Sequence, residues 1–193
     1  MTDQELMQAI KTQWGELLDS SCKASSVPPA FLAALIANES GGNPDAKRFE
    51  PGVLAHLFAV LLNRQAAYGS IGCADIVGFA SSAQISATLN MQLIVALDQL
   101  SSSWGLVQIM GYEAIPYRLD GVAALRNPVS EMVVALRMLA EFASRNALDL
   151  GKDFSELFAC WNTGRPHSPT ADPNYIPNGL RRMELYKAVA SGE

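Results

Sequence analysis

Residues Phe31 to Pro44 read FLAALIANESGGNP, and between Lys23 and Glu39 the chain carries no formal charge. A single carboxylate thus arrives at the end of a long apolar run and is followed at once by Ser40, Gly41, Gly42, Asn43 and Pro44. Phe31, Leu32, Leu35 and Ile36 fall at helical spacing, Pro28 and Pro29 suit a helix start, and the Gly-Gly-Asn-Pro run is a strong stop. The stretch predicts a buried helix that ends on an acid. Apolar surroundings and the negative end of the helix dipole both disfavour a carboxylate, so both push the expected pKa of Glu39 upward. A carboxyl group kept protonated near neutral pH can act as a general acid. Taken by itself, the stretch reads first as a solvated glutamate in a last helical turn, and the acid reading needs the other motifs.

The flanking sequence is helical in the same way. Leu6, Ile10, Trp14, Leu17 and Leu18 predict a helix over Asp3 to Asp19, joined by a polar connector, Ser20 to Val27. Leu54, Leu57, Phe58, Leu61 and Leu62 predict another over Val53 to Gln65, with His56 inside it as a surface or core residue. Gly69 to Ala80 reads as loop or short helix. Ser81 or Ser82 can cap a helix running to about Leu100, with Ile85, Leu89, Leu93, Ile94 and Leu97 on one face. Ser101 to Gly111 interrupts the pattern. Asn127-Pro128 opens a helix over Val129 to Asn146, with Met132, Val133, Leu136, Leu139, Ala140 and Ala143 as its stripe, and Phe154 to Trp161 and Leu180 to Val189 follow. No alternating strand pattern survives counting, and the expected fold class is all-α.

Composition narrows the function. With 193 residues and 49% hydrophobic content the chain can bury a sizeable core as one domain, with a second small lobe as the alternative. A formal net charge of −5, with Lys and Arg scattered, argues against nucleic acid as a partner. No apolar run approaches the ~20 residues of a membrane span. The start MTDQELMQAI lacks a secretory pattern, so the expectation is a chain that stays inside, is exported by other means, or is trimmed. Cys22, Cys73 and Cys160 cannot all pair and their spacing makes no metal knuckle; they read as reduced, mostly buried thiols, with one disulfide as the alternative. With only His56 and His167, a histidine-based metal site is not expected, and no metal or cofactor is implied.

Three segments, ALIANESGGNP, SWGLVQIMG and ACWNTG followed by NYIPNGLRRMELY, stand in that order. They resemble the ordered motifs of the lytic transglycosylase (SLT-type) and goose-type lysozyme superfamily: an E-S-G helix end, a G-L-M-Q segment, and an A-x-Y-N-x-G turn followed by a tyrosine. The resemblance covers roughly Phe31 to Pro44, Ser103 to Gly111 and Leu157 to Tyr186. It implies one lysozyme-like domain over 1–193 with a cleft, and an insert at about 45–102; KRFEP within that insert resembles longer, phage-type or muramidase-like members. It also implies that Glu39 is the catalytic acid and base and that Ser40 supports the helix end. Ser103, Gly105, Val107, Gln108, Asn162 and Tyr175 become substrate-binding residues: Ser103 near the scissile bond, Gly105 where the backbone approaches the sugar, Gln108 facing the cleft, and Tyr175 with its hydroxyl close to the catalytic carboxylate. Val107 stands where many relatives have methionine, at a position thought to act through its backbone, and Trp161 replaces the usual tyrosine, while Asn162 and Gly164 are retained.

The residue types suit glycan cleavage, which needs an acid at the leaving oxygen, donors and acceptors for hydroxyl and N-acetyl groups, and aromatic walls. Trp104 and Trp161 read singly as core. The expected activity is a peptidoglycan-cleaving lytic transglycosylase acting on the MurNAc-GlcNAc β-1,4 bond with Glu39 as its single acid/base and leaving 1,6-anhydro ends. The alternatives are a muramidase using Glu39 plus Glu50 or Asp98 as second carboxylate, and a non-catalytic wall-binding module. The expected partner is the peptidoglycan glycan strand, and the expected place of action the cell wall, in the periplasm or outside the cell.

Overall fold

Thr2 opens the chain's first helix with a reciprocal cap: its hydroxyl accepts the Glu5 N–H, and the Glu5 carboxylate accepts the Thr2 N–H. The structure is a computed structural model describing residues 1–82 and 89–189, which are mostly helical. Among these residues the helices are α1 (Asp3–Cys22), α2 (Pro29–Glu39), α3 (Pro51–Leu61), α4 (Cys73–Ser82), α5 (Leu89–Leu100), α6 (Pro128–Asn146), α7 (Phe154–Thr163) and α8 (Tyr175–Ala188). Five short strands accompany them: β1 (Lys47–Phe49), β2 (Ala67–Tyr68), β3 (Ile71–Gly72), β4 (Ser102–Trp104) and β5 (Ile109–Met110). At two or three residues each they are too short to alternate visibly in sequence. None of the described helices is long and apolar enough to cross a membrane.

The chain divides into two compact units, one formed by residues 1–43 and 132–193, the other by 44–131. In the first, α2 is buried from Ala30 through Ala37 and packs on α1 and α8. A helix apolar on every side has no solvent face to offer, which is why this one is central. The Phe31 ring meets Phe158 at 4.5 Å and Phe154 at 5.9 Å, bringing in α7. The Phe158 ring in turn leaves no room at Gly179, where a Cβ would lie 2.6 Å from it. Helix α8 starts at Tyr175, five residues before the expected Leu180, because Pro177 falls in the first turn, where its missing N–H costs no helical bond.

In the second unit Leu57, Val60, Ile71, Ile76, Leu97 and Leu100 form the core beneath α3, α4, α5 and the β2–β3 hairpin. Strand β4 lies between β1 and β5, antiparallel to both, with Arg48 opposite Ser103 and Ser103 opposite Met110. The insert expected at about 45–102 belongs to this unit, together with the Ser103 to Gly111 motif. Ser81 and Ser82 lie in the last turn of α4, their hydroxyls donating to the carbonyls of Val77 and Phe79, and the residues that either would cap lie outside the described ones. Ile85 lies outside the described residues.

Candidate functional site

The acid end of α2 is built within the first unit. Ser40 closes the helix with its N–H on the Ile36 carbonyl, and Gly41, at φ +63°, donates to the same oxygen. That left-handed residue turns the chain away immediately after Glu39. The Ser40 hydroxyl then accepts the Gly42 N–H at 3.2 Å, and Trp14 Nε1 donates to the Gly42 carbonyl at 3.2 Å. Glu39 is half-buried, and the Tyr175 hydroxyl donates to its Oε1. Two residues 136 positions apart, both singled out by the sequence, are thereby joined. Tyr175 is itself buried, with its ring edge-on to Phe158 at 6.2 Å. Asp172 sets its start: the side chain accepts the Asn174 N–H and the carbonyl accepts the Tyr175 N–H. Asn162 is exposed on the last turn of α7, Trp161 beside it is half-buried, and Gly164 ends that helix.

The second group, Ser103 to Gln108, is built within the second unit. Ser103 is buried in β4, and its hydroxyl donates to Gln108 Oε1 at 2.8 Å. Gln108 Nε2 donates to the carbonyls of Gly105 at 2.9 Å and Ala46 at 3.2 Å. The Gln108 amide therefore ties the turn together with both of its ends and steadies a backbone at φ +55°, unusual for a residue with a side chain. Gly105 sits at φ +83°, and a Cβ there would lie 2.3 Å from the Leu125 carbonyl and 2.5 Å from the Glu131 carboxyl. Only glycine fits. Leu106 and Val107, both buried, donate their N–H groups to Glu131 Oε2 and Oε1, each at 2.8 Å. Val107, expected to act through its backbone, commits its N–H to Glu131.

Sequence reasoning missed Glu131. Its side chain has no solvent exposure, and burial pushes its carboxyl up to about 8 against the two backbone hydrogen bonds, which favour the ionised form. The available signal was a charge four and eight residues before Ala135 and Leu139, inside the buried stripe of α6. That stripe is rotated from the expected one: Ala135 and Phe142 face in, while Val133 and Ala140 are exposed.

The proposed second carboxylates are both paired and partly exposed within the second unit. Glu50 Oε1 meets Arg48 Nε at 2.6 Å, and Asp98 Oδ2 meets Lys47 Nζ at 2.6 Å. Trp104 is core there, donating through Nε1 to the Gln99 carbonyl, with Lys47 Nζ 4.8 Å from its ring centre. His56 stacks on Tyr68 at 4.9 Å, with Nδ1 3.1 Å from Gln65 Oε1. Cys22, Cys73 and Cys160 are free thiols. No cluster of metal-ligating side chains occurs among the described residues. Comparison with protein-family models, with curated proteins and with solved structures finds no match to this chain.

Proposed function

We propose that this chain cleaves peptidoglycan glycan strands between MurNAc and GlcNAc as a lytic transglycosylase, with Glu39 as the single acid and base. The observation that carries the reading is the Tyr175 hydroxyl donating to Glu39 Oε1 at the end of a buried helix. In this mechanism the Glu39 carboxyl protonates the glycosidic oxygen as the bond to C1 breaks. The resulting carboxylate then takes the proton of the muramic 6-hydroxyl, whose oxygen closes onto C1 to give the 1,6-anhydro ring. No water is consumed. A phenol hydrogen bond stabilises the carboxylate formed between the two proton transfers. The resemblance assigns Ser103, Gly105, Val107, Gln108 and Asn162 to glycan binding, and places the action at the cell wall.

An ordinary hydrolase would need a second carboxylate. The ion pairs of Glu50 with Arg48 and Asp98 with Lys47 give each candidate a local structural role and favour the single-acid route. The test is mass spectrometry of fragments released from purified peptidoglycan by wild type and by Glu39→Gln. Anhydro ends from wild type and a loss of at least about 100-fold in the variant are expected. Reducing ends, one water heavier, would replace the reading with a muramidase. Glycan binding without any product would leave a wall-binding module.

A further inference from the structure

Asn38 directly precedes Glu39 in the last turn of α2, and adjacent helical side chains diverge by about 100°. The two therefore reach different ends of the same tyrosine: Asn38 Nδ2 donates to the Tyr175 carbonyl at 2.9 Å, while the Tyr175 hydroxyl donates to Glu39. Arg182 stands seven residues after Tyr175, two turns along the same face of α8. Its Nη1 donates to Asn38 Oδ1 at 2.7 Å and its Nη2 to Asp3 Oδ1 at 3.0 Å. Arg181 also donates to Asp3. The guanidinium determines the Asn38 amide orientation, since the flipped amide would put NH₂ against a cation and oxygen against the Tyr175 carbonyl. Arg182 Nε is buried and has no hydrogen-bond partner, so the guanidinium is oriented through its two terminal nitrogens alone.

We propose that Asn38 and Arg182 are positioning residues that hold the Tyr175 phenol against Glu39, with Asp3 anchoring the relay at the start of α1. The inference rests on the reading of Glu39 as the acid. The three are joined to Tyr175 by the bonds Arg182–Asp3, Arg182–Asn38 and Asn38–Tyr175, and each acts through the placement of that tyrosine. Leucine at 38 keeps the volume and removes both hydrogen bonds. Lysine at 182 keeps the charge and loses the fork that spans Asp3 and Asn38.

A double-mutant cycle tests this, with Asn38→Leu, Tyr175→Phe and the pair assayed on purified peptidoglycan. Asn38→Leu is expected to lower kcat about tenfold or more with KM within about twofold, and to cost less than about twofold once the phenol hydroxyl is gone. The same tenfold loss in both backgrounds overturns the proposal, because Asn38 would then act independently of Tyr175. Arg182→Lys should follow Asn38→Leu in direction and in its dependence on Tyr175. If Asn38→Leu does not fold, Asn38→Ser, which removes the same two bonds with less apolar bulk, takes its place in the cycle.

A second readout needs no turnover: the titration of the Glu39 carboxyl, followed by carbon-13 NMR. Its midpoint is expected to move in Asn38→Leu and to be insensitive to the same change in Tyr175→Phe. A coupled midpoint without glycan cleavage supports the positioning and refutes the transglycosylase reading. An uncoupled midpoint refutes the positioning, whatever the activity.

Discussion

The two units each organise a segment around a carboxylate and do so by opposite physics. In the first, Asp3 lies beside Arg181 and Arg182, and the hydrogen bond from Arg182 is the foremost reason its carboxyl is held below the usual 3.8. In the second, Glu131 accepts the backbone N–H groups of Leu106 and Val107, and burial drives its carboxyl upward. A partnered, partly exposed acid is an anchor that loosens in acid. A sealed acid is an anchor that becomes costly in alkali, because ionising it puts an uncompensated charge where water cannot reach.

The largest effect on stability should come from filling the space at the sealed acid. Gly105→Ala forces a Cβ into the Leu125 carbonyl and the Glu131 carboxyl at a left-handed backbone, and is expected to cost about 3 kcal/mol or more in urea unfolding. Next comes the pH dependence of Glu131. The native chain keeps a proton that the unfolded chain releases near pH 4.5, so the stability from this group is complete below that value and is lost as pH rises through about 8. The slope is at most about 1.4 kcal/mol per pH unit. Glu131→Gln, neutral throughout, should flatten the decline between pH 5 and 8, about the interval that matters. A wild type with no decline there would mean that the two backbone donors outweigh burial, and the contrast between the units would collapse.

Asp3 has the opposite sign. Its stabilisation is present above 3.8 and is lost as pH falls through the depressed native value. Asp3→Asn should cost about 1 kcal/mol or less at neutral pH and remove part of the acid-side loss in thermal melts. The smallest effect is expected at Lys47→Met, which breaks the exposed pair with Asp98 for roughly 0.5 kcal/mol, and less at high salt.

Legibility in the sequence followed the range of the forces. Helix α2 could be read from neighbours alone, since its prolines, apolar run and Gly-Gly stop are all local signals. Glu39 could be named from its own neighbours, whereas Tyr175, 136 positions later, was named and joined to it only through the resemblance. Gly179 gives no local sign of its role, which is to leave the slot for the Phe158 ring inside α8. The phase of α6 was misread at Val133 and Ala140, because an apolar residue reports a preference for burial and not what it packs on. Phe58 and Leu62, apolar positions of the helix expected over Val53 to Gln65, are largely exposed for the same reason. Glu131, Asn38 and Arg182 were illegible: each is defined by partners at least 24 residues away.

The second unit is one unbroken stretch, residues 44–131, while the first is assembled from segments on both sides of it. During synthesis from the N-terminus, the Gly105 turn and its Glu131 anchor are therefore complete while α7 and α8 are still to be made. Glu39 emerges early but meets the Tyr175 hydroxyl only after more than a hundred further residues have been added. The nascent chain thus carries its acid without the phenol, and the relay through Arg182 forms only once α8 has been made, so that the machinery proposed for cutting is withheld until then.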